Sequence, residues 1–198
     1  MISLGGMAMN KNVSRMVLSA MLIAVGILIP VIAPIKILIE PMSFTLASHV
    51  AIMVAMFVSP SVAVAVALGT TLGFVFIAFP LPVVLRALSH VVWAYAGAYY
   101  LKKHNDALNS FAHTALFVLA IGLLHAVCEV IIVLPIYVGT TSVNDFLYMV
   151  FGLVGIGTVV HSTVDFIISI VVWKVICHSR EVSSISNVKE VKLALHTK

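Results

Sequence analysis

Apolar residues gather in six long runs, at 14–33, 44–58, 61–79, 82–101, 111–136 and 147–176, separated by short polar or proline-bearing breaks. A helix rises 1.5 Å per residue, so about 20 residues cross a hydrocarbon core of roughly 30 Å. The run at 44–58 is short of that, and Pro60 between Ser59 and Ser61 marks a tight turn into the next one. Backbone groups in lipid must be satisfied within the segment, and the alternation that barrel strands need is absent. The spans are therefore predicted to be helices, with no strand anywhere. The first run follows Lys11 and Arg15 and resembles a secretory signal, but it is long and ends in "PVIAPIK", where a proline follows the small residue. It is read as a retained helix. The expectation is an all-α membrane protein of six transmembrane helices, with an N-terminal segment 1–13, a bundle 14–177 and a polar tail 178–198.

Composition strengthens this picture. Hydrophobic residues make up 62% and charged residues 9% of the chain, with a mean hydropathy of +1.20; in soluble domains about a quarter of residues are charged. With a cytoplasmic N-terminus, Lys11, Arg15, Lys102, Lys103, Lys174, Arg180, Lys189, Lys192 and Lys198 all fall on the inner side, and Lys36 is the one loop cation outside. That asymmetry predicts both termini in the cytoplasm of a plasma-membrane protein. It also accounts for the pI near 9.2 with no call for a nucleic-acid partner. Cys128 and Cys177 fall in or at the end of helices, so no disulfide framework or cysteine-rich metal site is expected. The tail, "HSREVSSISNVKEVKLALHTK", is polar and serine-bearing and is expected to be loose.

Ionisable residues inside the apolar runs change the picture most. "HAVCEV" at 125–130 and "HSTVDF" at 161–166 each place a carboxylate four residues after a histidine, and Arg86 precedes His90 by the same interval. Residues four apart share a helix face, so Arg86 with His90 and Trp93, His125 with Glu129, and His161 with Asp165 form three polar stripes, with His49 near the outer end of helix 2. A charge at the bilayer centre costs about 2.5–3.5 kcal/mol on insertion scales. One inward-facing cluster is the cheapest arrangement, and opened to the outside it makes a binding site for something small and polar. The plainer alternative is that Arg86 neutralises Glu129 or Asp165, the histidines bond across helices, and nothing is bound. The sequence holds no G-x-x-x-x-G-K-[ST] loop, no serine-nucleophile motif, no H-E-x-x-H helix and no dinucleotide turn, so no enzyme and no cofactor is expected. For an autonomous secondary transporter the chain is short, with no convincing repeated pair of broken helices.

In "SRMVLSAMLIAVGILIP" a basic residue precedes a first helix carrying Ala20-x-x-x-Ala24. A six-helix protein of about 200 residues with this start resembles the substrate-binding S components of energy-coupling factor vitamin transporters. The resemblance implies that Ala20 and Ala24 contact the coupling helices of a transmembrane T component, which in turn carries two ATPase subunits. Small-x-x-x-small faces also serve ordinary helix packing, so contact with this chain's own helices stays open. "FTLASHVAIMVAMFVSPSVAVAVALGTTLGF" with "VVLRALSHVVWAYAGAYYLKK" is similar to the niacin-specific type. That implies a high-affinity binding protein for nicotinate or nicotinamide, without enzymatic activity. Substrate would be held near the outer face under the loop "PIKILIEPMS", and the subunit would topple in the membrane when it engages the ATP-driven module.

The residues suit such a ligand without selecting it. Arg86 can pair with a carboxylate, a histidine or protonated acid can meet the ring nitrogen, and Trp93 or Phe44 can stack. The candidate substrate-binding set is Arg86, His49, His90, His125, Glu129, His161, Asp165, Trp93 and Phe44. Glu129 and Asp165 beside an anion demand a compensating positive charge, which keeps another, neutral or cationic, vitamin open. The rival from a different class is a divalent metal permease using the His/Asp/Glu cluster, since imidazole with carboxylate suits zinc and related ions. "HSTVD" bears a likeness to the His-Asn-x-x-Asp helix of zinc–iron permeases, but their companion His-Glu-x-Pro-His-Glu helix is missing. Metal-specific S components typically start Met-His, where this chain reads "MISLGG". No bound metal is expected.

Overall fold

A computed structural model describes residues 10–39, 42–139 and 142–193. Residues 1–9 with "MISLGG", positions 40–41 of the first loop, Thr140 and Thr141 of the "VGTTSVND" loop and the last five residues of the tail lie outside the described residues. Helix α1 covers Lys11–Ile32, then strands β1 (Lys36–Ile39) and β2 (Met42–Thr45) form an antiparallel hairpin with Ile37 opposite Phe44. There follow α2 (Val50–Val58), α3 (Pro60–Phe76), α4 (Leu81–Lys103), a short 3₁₀ turn (Ala107–Asn109) and α5 (Phe111–Tyr137). A 34-residue rod, Val143–Ile176, comprises α6 (Val143–Leu147), a π-helical stretch (Tyr148–Ile156) and α7 (Gly157–Ile176). Helix α8 (Arg180–Ile185) is the last helix among the described residues.

Among the described residues, four helices have the length and apolarity to cross a membrane: Lys11–Ile32, Leu81–Lys103, Phe111–Tyr137 and Val143–Ile176. The chain is a helical, multi-pass membrane protein. Of the six predicted spans, the second and third come out shorter. Helix α3 has 17 residues, and α2 has nine, every one of them buried. Nine residues rise about 13 Å, half a hydrocarbon core, so α2 is a half-helix wrapped in protein. It begins at Val50 rather than at 44, because Phe44 and Thr45 belong to β2 and residues 46–49 form a turn. The hairpin overturns the expectation of no strands. It lies in the first loop, where its ladder satisfies backbone groups that no helix serves.

Helix α3 starts sharply because Pro60 occupies its first position and Ser59 Oγ accepts from Val62 N at 3.3 Å. Against it lies α1, and the contact uses Gly69 and Gly73 as holes. A Cβ at Gly69 would collide with Ile23, and one at Gly73 with Ile27. Small residues four apart let helix backbones approach in lipid. The opposite face of α1, with Met21, Val25 and Leu28, is exposed, and Ala20 and Ala24 are exposed with it.

The tail is docked, not loose, as far as the described residues go. Ile185, Val188 and Val191, three apart, are buried. Asn187 N donates to Val58 O at 2.9 Å and Val188 N to Phe57 O at 3.0 Å, satisfying carbonyls at the C-terminal end of α2. Arg15 Nη2 on α1 donates to Ile185 O at 3.0 Å. Ser179 Oγ donates to Glu181 at 2.8 Å and holds that carboxyl below its usual range.

Candidate functional site

A half-helix that starts inside a bundle leaves its first N–H groups without intrahelical partners. Here Asp165, in the middle of α7 and fully buried, supplies them. Its Oδ1 accepts from Ala47 N at 2.8 Å and its Oδ2 from His49 N at 2.9 Å. Ala47 is held at φ 67°, a left-handed conformation that turns the N–H toward the carboxylate. The same Oδ2 lies 3.1 Å from His49 Nδ1 and 3.2 Å from His161 Nε2. An anion at the positive end of α2 is favourable on dipole grounds as well. Asp165 is thus engaged on both oxygens and works as the anchor of α2.

Glu129 on α5 anchors the second half of the cluster and is also buried. Its Oε2 accepts from Arg86 Nη2 at 2.9 Å and from Thr158 Oγ1 at 2.6 Å. Its Oε1 lies 3.3 Å from His125 Nε2 and 3.5 Å from His90 Nε2. His125 Nδ1 meets Ser162 Oγ at 2.7 Å. The two halves join through His49, whose ring stands edge-on to His90, His125 and His161 at centroid distances of 4.8–4.9 Å. Phe44 of β2 stacks on His161 at 4.7 Å and 12°. Trp93 packs 4.8 Å from the His125 ring with no exposed surface.

All nine predicted binding residues therefore come together, but in two shells around a cavity of about 70 Å³. His49, Arg86, His90 and Glu129 line it, while Phe44, Trp93, His125, His161 and Asp165 do not, and Phe44 and His161 line a neighbouring hollow with Ile35, Ile37 and Leu46. Further lining comes from residues that were not among the predicted set: Ser43 and Thr45 of β2, Ser48, and Thr70, Phe74 and Phe79 at the hairpin end of α3 and beyond, with Pro30, Ile52, Val83 and Ala87 as the apolar remainder. Phe74 and Phe79 contact each other at 4.7 Å. Thr70 is buried, and its Oγ1 has no hydrogen-bond partner among the described residues. One signal for Thr70 was available: a hydroxyl pair, "TT", between Gly69 and Gly73 in an otherwise apolar run. A hydroxyl is a weaker signal than an ionisable group, because its membrane cost is lower.

Fold and site together define a multi-pass membrane protein with a small, partly open cavity of mixed polar and apolar lining at the buried start of a half-helix. Among curated proteins, the "Niacin transporter NiaX" of Lactococcus lactis subsp. cremoris (strain MG1363) is 37% identical to this chain over 93 residues. That match spans 46% of this chain and less than half, 42%, of the relative. No protein-family model and no solved structure matches.

Proposed function

We propose that this chain is the substrate-binding subunit of an energy-coupling factor importer for niacin, working with a T component and two ATPases in the plasma membrane. The observation that carries the proposal is the cavity wall: a guanidinium, imidazoles and hydroxyls around a small space, in a chain similar over 46% of its length to a niacin transporter. In this reading the hairpin end of the bundle faces outside and β1–β2 lies over the cavity. Nicotinate brings a flat ring, one carboxylate and one ring nitrogen. The carboxylate meets Arg86, whose planar fork of donors suits it. Phe74 and Phe79 supply aromatic surface. Thr70 Oγ1 or His90 Nε2 meets the ring nitrogen. Nicotinamide places its neutral amide at the same spot.

Arg86 also holds Glu129, so the site binds an anion by sharing one guanidinium between two carboxylates. That favours a small ligand whose remaining polar atoms are fully satisfied, since each buried unpaired group costs about 1–3 kcal/mol. The exposed Ala20/Ala24 face of α1 is the proposed docking strip for the T component. No helix among the described residues covers it, and its small side chains admit close approach of another backbone. Mass spectrometry of the small molecule that copurifies with the protein in mild detergent tests the reading. Nicotinate or nicotinamide at stoichiometric level supports it, and a different organic ligand overturns the assignment.

A further inference from the structure

The histidine cage at the cavity wall has a geometry that niacin binding alone does not account for. Three imidazoles and one carboxylate, from His49, His90, His125 and Glu129, each offer a ligand atom, and these atoms all lie within 4.8 Å of one another. A four-coordinate ion with bonds of about 2.0–2.1 Å needs ligand–ligand edges of roughly 3.3 Å. Two edges already have that length, at 3.3 Å from Glu129 Oε1 to His125 Nε2 and 3.5 Å to His90 Nε2. Closing the others requires side-chain adjustments on the order of 1 Å.

Two further observations point the same way. Metal-bound histidines nearly always have their outer nitrogen held by a carboxylate, hydroxyl or carbonyl. Here His49 Nδ1 is held by Asp165 at 3.1 Å and His125 Nδ1 by Ser162 at 2.7 Å. The outer oxygen of Glu129, Oε2, is likewise held by Arg86 and Thr158, which leaves Oε1 facing the cage. In addition, His90 is 93% buried by residue, yet its Nε2 has no hydrogen-bond partner among the described residues. Glu129 Oε1 lies 3.5 Å from it, a long contact of the length that two ligands of one four-coordinate ion would keep.

We propose that His49, His90, His125 and Glu129 form a binding site for a divalent transition-metal ion of the zinc type, entered through the cavity. Imidazoles with a single carboxylate select zinc, cobalt or nickel over calcium or magnesium, which take oxygen sets. Because His49, His90 and Glu129 also line the cavity, an ion here sets the charge of its wall. The proposal goes beyond niacin binding and does not rest on it.

The test uses the full chain without a histidine tag, stripped with chelator in detergent and titrated with Co²⁺ in the absence of any vitamin. Expected is one Co²⁺ per chain with the visible absorption of four-coordinate cobalt, displaced by Zn²⁺. His90→Gln and His125→Gln should each weaken Co²⁺ binding at least tenfold. Asp165→Asn should weaken it about 10–100-fold through His49. His113→Gln, on the exposed start of α5, should bind as the parent does. Because His125→Gln sits in the core, thermal melting accompanies each variant and His90→Gln, at the cavity edge, decides. Absence of the four-coordinate band, or equal Co²⁺ affinity in the parent and in folded His90→Gln, overturns the site.

Discussion

Asp165→Ala is the perturbation that tests how the chamber is built. The carboxylate receives two backbone N–H groups, from Ala47 and His49, and two imidazoles, at 2.8–3.2 Å. Hydrogen bonds to a charged acceptor contribute about 1.5–3 kcal/mol each, and a buried donor left unpaired costs about 1–3 kcal/mol. Alanine orphans both backbone donors and also leaves a void. Some of that loss is recovered if water enters from the cavity, so the net destabilisation is about 3–5 kcal/mol. At about 2–4 °C per kcal/mol for a chain of this size, the melting temperature in detergent falls by about 6–20 °C. Asp165→Asn retains an acceptor but replaces the other oxygen with a donor pointing at N–H groups, and should fall by roughly half as much. Circular dichroism melts of parent and both variants, purified alike, give the numbers. If Asp165→Ala melts within a degree of the parent, the carboxylate does not hold the start of α2 and the anchor role is wrong.

Truncation after His178 removes the buried Ile185, Val188 and Val191 and the donors to Phe57 and Val58. It should lower the melting temperature, where a loose tail would leave it unchanged. Gly73→Leu drives a side chain into Ile27 and should cost about 1–3 kcal/mol by overpacking α1 against α3, read in the same melts. Ala20→Leu with Ala24→Leu, on the exposed face, should leave stability and ligand affinity as they are while abolishing uptake in cells that carry the T component and ATPases; normal uptake would remove the docking role. Thr70→Val should keep or raise stability, because it deletes a buried hydroxyl with no hydrogen-bond partner among the described residues. If that hydroxyl meets the ligand, the same change weakens binding by about 0.5–1.5 kcal/mol by calorimetry.

The polar cluster was legible because membrane cost forces ionisable residues together: Glu129 and Asp165 each had a histidine one turn away on the same face, and Arg86 had to find a carboxylate. The sequence did not show which carboxylate would take Arg86, since that depends on helix rotation. The structure pairs it with Glu129 and commits Asp165 to α2. The break in the second span was hidden because "FTLASH" is apolar enough to continue a helix. What stops it is a tertiary contact 118 residues away, from Ala47 N to Asp165. The hairpin was missed for a related reason, since four-residue strands carry too little alternation to register. Alanine spacing on α1 and glycine spacing on α3 look alike as patterns. Packing separates them, with Gly69 and Gly73 against Ile23 and Ile27 and the alanines exposed. The tail read as loose because Ile185, Val188 and Val191, which dock it, are spaced singly among polar and charged residues and form no continuous run.

Titration calorimetry of nicotinate and nicotinamide against the parent and Arg86→Ala, at one pH and with folding checked by melting, bears most directly on the proposed niacin site. The parent should bind niacin tightly. Arg86→Ala should weaken nicotinate by about 2–5 kcal/mol, the loss expected when one partner of a buried charge pair is removed, and nicotinamide by less. Arg86→Lys should recover part of it, since a point charge replaces the planar fork. Nicotinate binding to folded Arg86→Ala as tight as to the parent would contradict the account, leaving Arg86 as the partner of Glu129 and nothing more.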